Sequence, residues 1–223
     1  AMAHTPIAIK EALKIPEAKA ALEKERTKLE DLGAWHYDTV KPRAEVEARA
    51  NREGTTIHFG GVMDLCHIKH SELEPQYQKY KGRAVFRGDQ TKDQDGVFAV
   101  FSEQGTSASH LSAAKFLDVI ARLPGCDGQD SDAIGACRQV KLDDVPSAIE
   151  TWISLPAHSC PKEWRNIERP VVKLERNLYG HPLAGLYRKV HCAQQILRRI
   201  RTSRRMGMFV RQQTPKVIPL HLR

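Results

Sequence analysis

Between residues 55 and 123 the apolar residues change period, and that change limits the folds open to the chain. Thr55 to His70 carries Ile57, Phe59, Val62, Leu65 and Ile68 in a strand-like pattern, with Gly60-Gly61 as a bulge or kink. Tyr77 to Gly88 reads as a second strand, threaded with Lys79, Lys81, Arg83 and Arg87. Asp93-Gln94-Asp95-Gly96 is a turn, and Val97 to Phe101 a short apolar strand. The period then switches. His110 to Leu123 places Leu111, Ala114, Phe116, Leu117, Ile120 and Leu123 on one helical face. Ser107 or Ser109 can cap its start, and Pro124-Gly125 stops it. Antiparallel strands over 55–101, with a helix over 109–123 packed against them, define an α+β fold.

The flanks add further elements. Pro16 to Leu32 is an amphipathic helix with Pro16 in its first turn and Ala18, Ala21, Leu22, Leu29 and Leu32 as a narrow apolar stripe, ended by Gly33. Ala44 to Ala50 reads as one more helical piece. Val145 to Leu155 is a strand or short helix ended by Pro156, and Val171 to Leu174 a short strand. Leu178 to Gly185 turns the chain into a last helix.

The charge is unevenly divided. Of 35 Lys/Arg, ten lie at 187–223, a stretch with none of the 27 Asp/Glu, so residues 1–186 hold 25 and 27 for a net charge of −2. The whole basic excess sits in the last 37 residues, as in a nucleic-acid-binding tail or in sequence of different origin. No apolar run reaches the roughly 18 residues of a membrane span. The start, Ala1-Met2-Ala3-His4-Thr5-Pro6, lacks the basic and apolar regions of a signal peptide, and Ala1 in place of Met reads as a fragment or a processed product. Five scattered cysteines fit a reducing compartment better than a disulfide framework. The expectation is an intracellular protein of cytoplasm or nucleus, with no membrane partner.

Three stretches carry residues capable of chemistry. Gly125 to Cys137 sets Asp132 among small residues, which leaves room for a large ligand or a metal-bound phosphate. Cys66-His67-x-x-His70 contains metal-capable side chains, but adjacent strand residues face opposite ways, which disfavours a zinc site. His158-Ser159-Cys160 has a base and a thiol whose adjacency in sequence does not place them in reacting geometry, so surface-loop roles are the better reading.

Three stretches in order resemble the reverse transcriptase of copia-type LTR retrotransposons, a segment of the Pol polyprotein. Gln78-Lys79-Tyr80-Lys81-Gly82-Arg83-Ala84-Val85-Phe86-Arg87-Gly88 is similar to the family's Tyr-Lys-Ala-Arg-Leu-Val-Ala-Lys-Gly fingers segment. Ser131-Asp132-Ala133-Ile134-Gly135-Ala136-Cys137 stands where the family has Met-Asp-Val-Lys-Thr-Ala-Phe. Lys173-Leu174-Glu175-Arg176-Asn177-Leu178-Tyr179-Gly180 resembles the lead-in and start of Leu-Tyr-Gly-Leu-Lys-Gln-Ala-Pro. Gly33-Ala34-Trp35 after the first helix resembles Asn-Gly-Thr-Trp. The resemblance covers about residues 8–186. It implies the fingers and first part of the palm of a right-hand polymerase, an RNA-directed DNA polymerase that binds an RNA or DNA template–primer and a deoxynucleotide. Asp132 would be a catalytic ligand of Mg2+ in a two-ion nucleotidyl transfer. Lys81 and Arg83 would contact the incoming triphosphate. Ala133 and Cys137 would line the nucleotide site, and Tyr179-Gly180 would lie near the nascent base pair.

The departures carry expectations of their own. Cys137 replaces the aromatic that the family sets near the sugar, and Leu183 and Gly185 replace its Gln and Pro. No Phe/Tyr-x-Asp-Asp motif follows, and no acidic residue follows Glu175 at all. The chain alone is therefore expected to be inactive. Residues 187–223 form a basic tail, disordered or an isolated helix, reading as frameshifted or wrongly spliced sequence. Arg198, Arg201 and Arg205 would share one helical face and attract phosphate. The first rival reading is a non-enzymatic nucleic-acid-binding protein that uses this tail. The second is a metal or thiol protein using Cys66, His67 and His70.

Overall fold

The computed structural model describes residues 4–101, 111–125, 135–146 and 148–205, with 196 and 199–205 as backbone only. Among them the protein is α+β, with a seven-stranded, mostly antiparallel open sheet and five α-helices. In chain order the elements are β1 (His4–Ile7), α1 (Ile9–Ala12), α2 (Pro16–Asp31), β2 (Lys41–Pro42), α3 (Arg43–Glu53), β3 (His58–Lys69), β4 (Lys79–Phe86), β5 (Lys92–Asp93), α4 (Leu111–Ala121), β6 (Thr151–Ser154), β7 (Pro170–Lys173) and α5 (Ala184–Arg205).

The twelve-residue β3 organises the sheet. Its C-terminal half lies between β1 and β4, and its N-terminal end between β5 and β6. The β3–β6 pair is parallel and the other pairs antiparallel; β7 continues from β6, and β2 from β7. One face of β3 presents Val62, Asp64 and Cys66 to α2, whose Ala18, Leu22 and Leu29 are buried. The other face presents Phe59, which packs with Val46 and Ala50 of α3, Trp152 and Val171. The main core joins Trp35, Val62, Phe86, Ile153, Val172, Leu174, Leu178 and Tyr187. At about 25 cal/mol per Å² of apolar surface, each such side chain contributes about 2 kcal/mol on burial.

The antiparallel pairing expected over 55–101 is present in the β3–β4 and β3–β5 ladders. Three expectations need correction. The helix over 109–123 exists as α4, but its apolar residues are not packed: Leu111 is 67%, Phe116 64% and Val119 61% exposed. α2 and α3 already cover the faces of β3 that carry the cores, so the apolar stripe of α4 finds those places taken. Val97 to Phe101 contributes one bridge, Phe98 to Lys92, and not a strand. Asp93 Oδ1 accepts the N–H groups of Asp95 and Val97, closing a tight turn with little length left to pair. Gly60-Gly61 is no bulge, for both residues stay in register with β6.

No helix among the described residues is long and apolar enough to cross a membrane.

Candidate nucleotide and nucleic-acid interface

Strand alternation assembles a basic surface on β3 and β4. Tyr80 and Ala84 pack toward the cores under α2, so Lys79, Lys81 and Arg83 stand on the opposite face. Their register partners on β3 are Lys69, His67 and Leu65. No carboxylate belongs to this part of the ladder's outer face. Lys81 is held below the usual lysine range, first by partial burial and then by the charges of Arg83 and Lys69. Glu25 on α2 offsets this in part, but it is engaged by Arg138 at 3.0 Å and Lys28 at 3.9 Å. An anion laid across these cations would relieve their mutual repulsion.

Tyr179 and Gly180 lie at the end of the same strand. The Phe86 N–H donates to the Tyr179 carbonyl at 2.8 Å. Gly180 has φ +88, and a Cβ there would sit 2.1 Å from the Phe86 carbonyl oxygen, so only glycine allows this approach. Tyr179 is 39% exposed. Two stretches 90 residues apart thus meet through backbone. Arg83, three residues before Phe86, is about 10 Å away along the strand, and Lys81 about 17 Å.

Cys137 lies in a 3-10 turn, Ala136–Gln139, half-buried. Burial pushes its thiol up, against the opposing charges of Arg188 and Arg138. Asp132 and Ala133 lie outside the described residues. Among the described residues no group of three or more His, Cys, Asp or Glu is arranged to hold a metal ion. Arg198 is exposed on α5, and the backbone positions of Arg201 and Arg205 follow it at helical spacing, on one face. Tyr187, in the first turn of that helix, is 2% exposed and belongs to the main core.

The remaining sequence candidates separate. Cys66 is buried against Ala12, Ala18 and Leu22, and its neighbour His67 is on the opposite face. His158 does not serve Cys160. Its Nε2 pairs with Asp64 Oδ2 at 2.8 Å, while the Cys160 thiol donates to the Leu155 and Pro156 carbonyls and is pushed up by burial. Asp64 is also 3.5 Å from Arg26, so a carboxylate only 7% exposed is held by a guanidinium from α2 and an imidazole from the 157–159 turn. Neither this cluster nor the aromatic group of His58, Phe86, Phe101, His181 and Tyr187 was visible in the sequence, because their members lie far apart in the chain.

Comparison with profiles of known families, with curated proteins and with solved structures finds no match.

Proposed function

We propose that residues 8–186 are the fingers and first part of the palm of a copia-type retrotransposon reverse transcriptase, and that this chain alone does not polymerise DNA. The observation that carries the reading is the backbone contact of the Tyr179-Gly180 turn with Phe86 at the end of β4. It joins two of the stretches that resemble the family, one basic and one with a small backbone. In this reading Lys81 and Arg83 neutralise the triphosphate of a deoxynucleotide or the template–primer backbone. Tyr179-Gly180 faces the nascent base pair, and Cys137 and Ala133 border the nucleotide. Asp132 is the residue that would hold Mg2+, whose charge supports phosphoryl transfer. With no acidic residue after Glu175, the carboxylate set stays incomplete. The setting is the cytoplasm or nucleus.

A second reading, a non-enzymatic nucleic-acid binder, is favoured by α5. It runs to Arg205 with Arg188, Lys189 and Arg198 exposed and no acidic residue along it. One experiment separates the two. Binding of a labelled template–primer is measured by anisotropy from low to physiological salt. Under the polymerase reading, Lys81→Gln/Arg83→Gln weakens binding about tenfold and lowers the salt slope by about one or two. If that variant binds as the parent does while deletion of 198–223 abolishes binding, the second reading replaces the first. No primer extension is expected with magnesium or manganese; template-dependent extension lost in Asp132→Asn would overturn the claim of inactivity.

A further inference from the structure

A cleft of about 150 Å³ opens between the turns at 157–166 and the start of β7, lined by Cys160, Pro161, Lys162, Trp164, Arg165 and Pro170 among others. Lys162 and Arg165 begin and nearly end a 3-10 helix, Lys162–Asn166. Residues three apart eclipse one another in a 3-10 helix, so both cations stand on one side and meet the same cavity. Both are exposed, and among the described residues neither takes part in an ion pair. Among the described residues Glu163, between them, is not in the wall, and no other carboxylate is.

The rest of the lining is firm and uncharged. Trp164 is 6% exposed and packs against Tyr37 with ring centroids 5.6 Å apart. The Cys160 thiol is committed to two carbonyls and stays protonated, so it does not compete for the cations. Two prolines limit backbone movement. Size decides among anions. A single water needs about 10–15 Å³ by this measure, whereas pockets for drug-sized ligands run to about 300–1,000 Å³. The cleft is too small for a nucleotide and ample for a tetrahedral oxyanion. An Arg fork with a neighbouring ammonium matches a doubly charged phosphate better than a singly charged carboxylate.

We propose that this cleft is a phosphate site, in which Lys162 and Arg165 hold a phosphate dianion, free or as the end of a small phosphomonoester. The site uses none of the residues assigned to the polymerase reading, so the two stand or fall separately.

The test is a titration of the full chain with inorganic phosphate at constant ionic strength, followed by amide and indole NMR shifts. Saturable shifts are expected at the Trp164 indole and at the amides of 162–165. Affinity should fall at least tenfold in Lys162→Gln/Arg165→Gln and be unchanged in the charge-matched Lys10→Gln/Lys141→Gln. Both sites are exposed, so retained peak dispersion verifies that the variants fold. Methyl phosphate, titrated likewise, extends the site to monoesters if it saturates and assigns it to the free anion if it does not. Shifts that never saturate, an equal response to acetate, or equal loss in both double variants would overturn the proposal.

Discussion

Gly60→Ala and Gly61→Ala should differ sharply, although they are neighbours in one strand. Neither residue has a positive φ, so backbone freedom is not the issue. A Cβ on Gly60 would sit 2.2 Å from Phe86 Cζ and 2.4 Å from Cε2. Ordinary contact begins at 3.4 Å, so the ring must retreat by about 1.2 Å. It has nowhere to go. Phe86 is 2% exposed and backed by the His181 ring at 5.0 Å. Overpacking a core costs about 1–3 kcal/mol, and this overlap with a wedged ring puts Gly60→Ala near 3 kcal/mol. A Cβ on Gly61 meets only Ser154 Oγ at 3.5 Å and Arg87 Cδ at 4.0 Å. That change should fall within about 0.5 kcal/mol of neutral, on the stabilising side, since glycine weakens a strand. For a chain of this length the first corresponds to a Tm lower by about 6–12 °C. Urea unfolding of both variants is the assay, with Phe86→Leu and the double variant completing a cycle. Phe86→Leu removes the ring atoms in the way, so the double variant should be at least about 1 kcal/mol better than the sum of its parts. Equal effects at 60 and 61, or strict additivity with Phe86→Leu, would refute the close-approach argument.

Acid should weaken the fold through His181. Burial, with a smaller contribution from His58, lowers it from 6.5 to about 4, so between those values the unfolded chain binds a proton that the folded one refuses. Stability is then full above pH 6.5 and falls by about 3 kcal/mol as pH drops to 4, a slope that His181→Gln should flatten in pH-resolved unfolding. Arg176 donates from Nε to the Leu32 carbonyl at 2.6 Å and from its guanidinium to the Gln139 carbonyl at 3.2 Å, tying the end of α2 to the 136–139 turn. Arg176→Ala should cost about 2 kcal/mol by urea unfolding, and Arg176→Lys, lacking the fork, should recover less than half. Asp64→Ala leaves Arg26 and His158 without their shared carboxylate and should cost about 3 kcal/mol; a loss under 1 kcal/mol would show the pair to be solvent-screened.

Elements with strong local patterns were legible in the sequence. α2 begins at Pro16 as read, and Ala18, Leu22 and Leu29 make its buried stripe. β3, β4 and β7 lie where their apolar runs lie. β1 carried no such pattern: His4-Thr5-Pro6-Ile7 is polar and holds a proline, tolerable because it is an edge strand. α4 exposes the limit of periodicity, which says which face of a helix is apolar but not what covers it. Gly60-Gly61 exposes another. A bulge and a close approach both ask for a missing side chain, and the choice depends on Phe86, on another strand. In the candidate site, alternation alone puts Lys79, Lys81 and Arg83 on one face. Nothing local announces that Asp64 meets His158, 94 residues later.

The meeting of β4 with the Tyr179-Gly180 turn also has a mechanical side. Three connections leave this point. The Phe86 N–H holds the Tyr179 carbonyl, the Phe86 ring meets His181 at a tilt with centroids 5.0 Å apart, and the His181 ring lies 5.5 Å from Tyr187, in the first turn of α5. The Leu183 N–H donates to His181 Nδ1 at 3.2 Å and fixes the imidazole as an acceptor there. Burial, with a smaller contribution from the charge of His58, keeps His181 neutral, and a proton on Nδ1 would oppose that donor. Among the described residues the basic strand and the start of the basic helix are thus joined through the rings at His181 and not through an ion pair. Salt should therefore leave the joint between β4 and α5 intact.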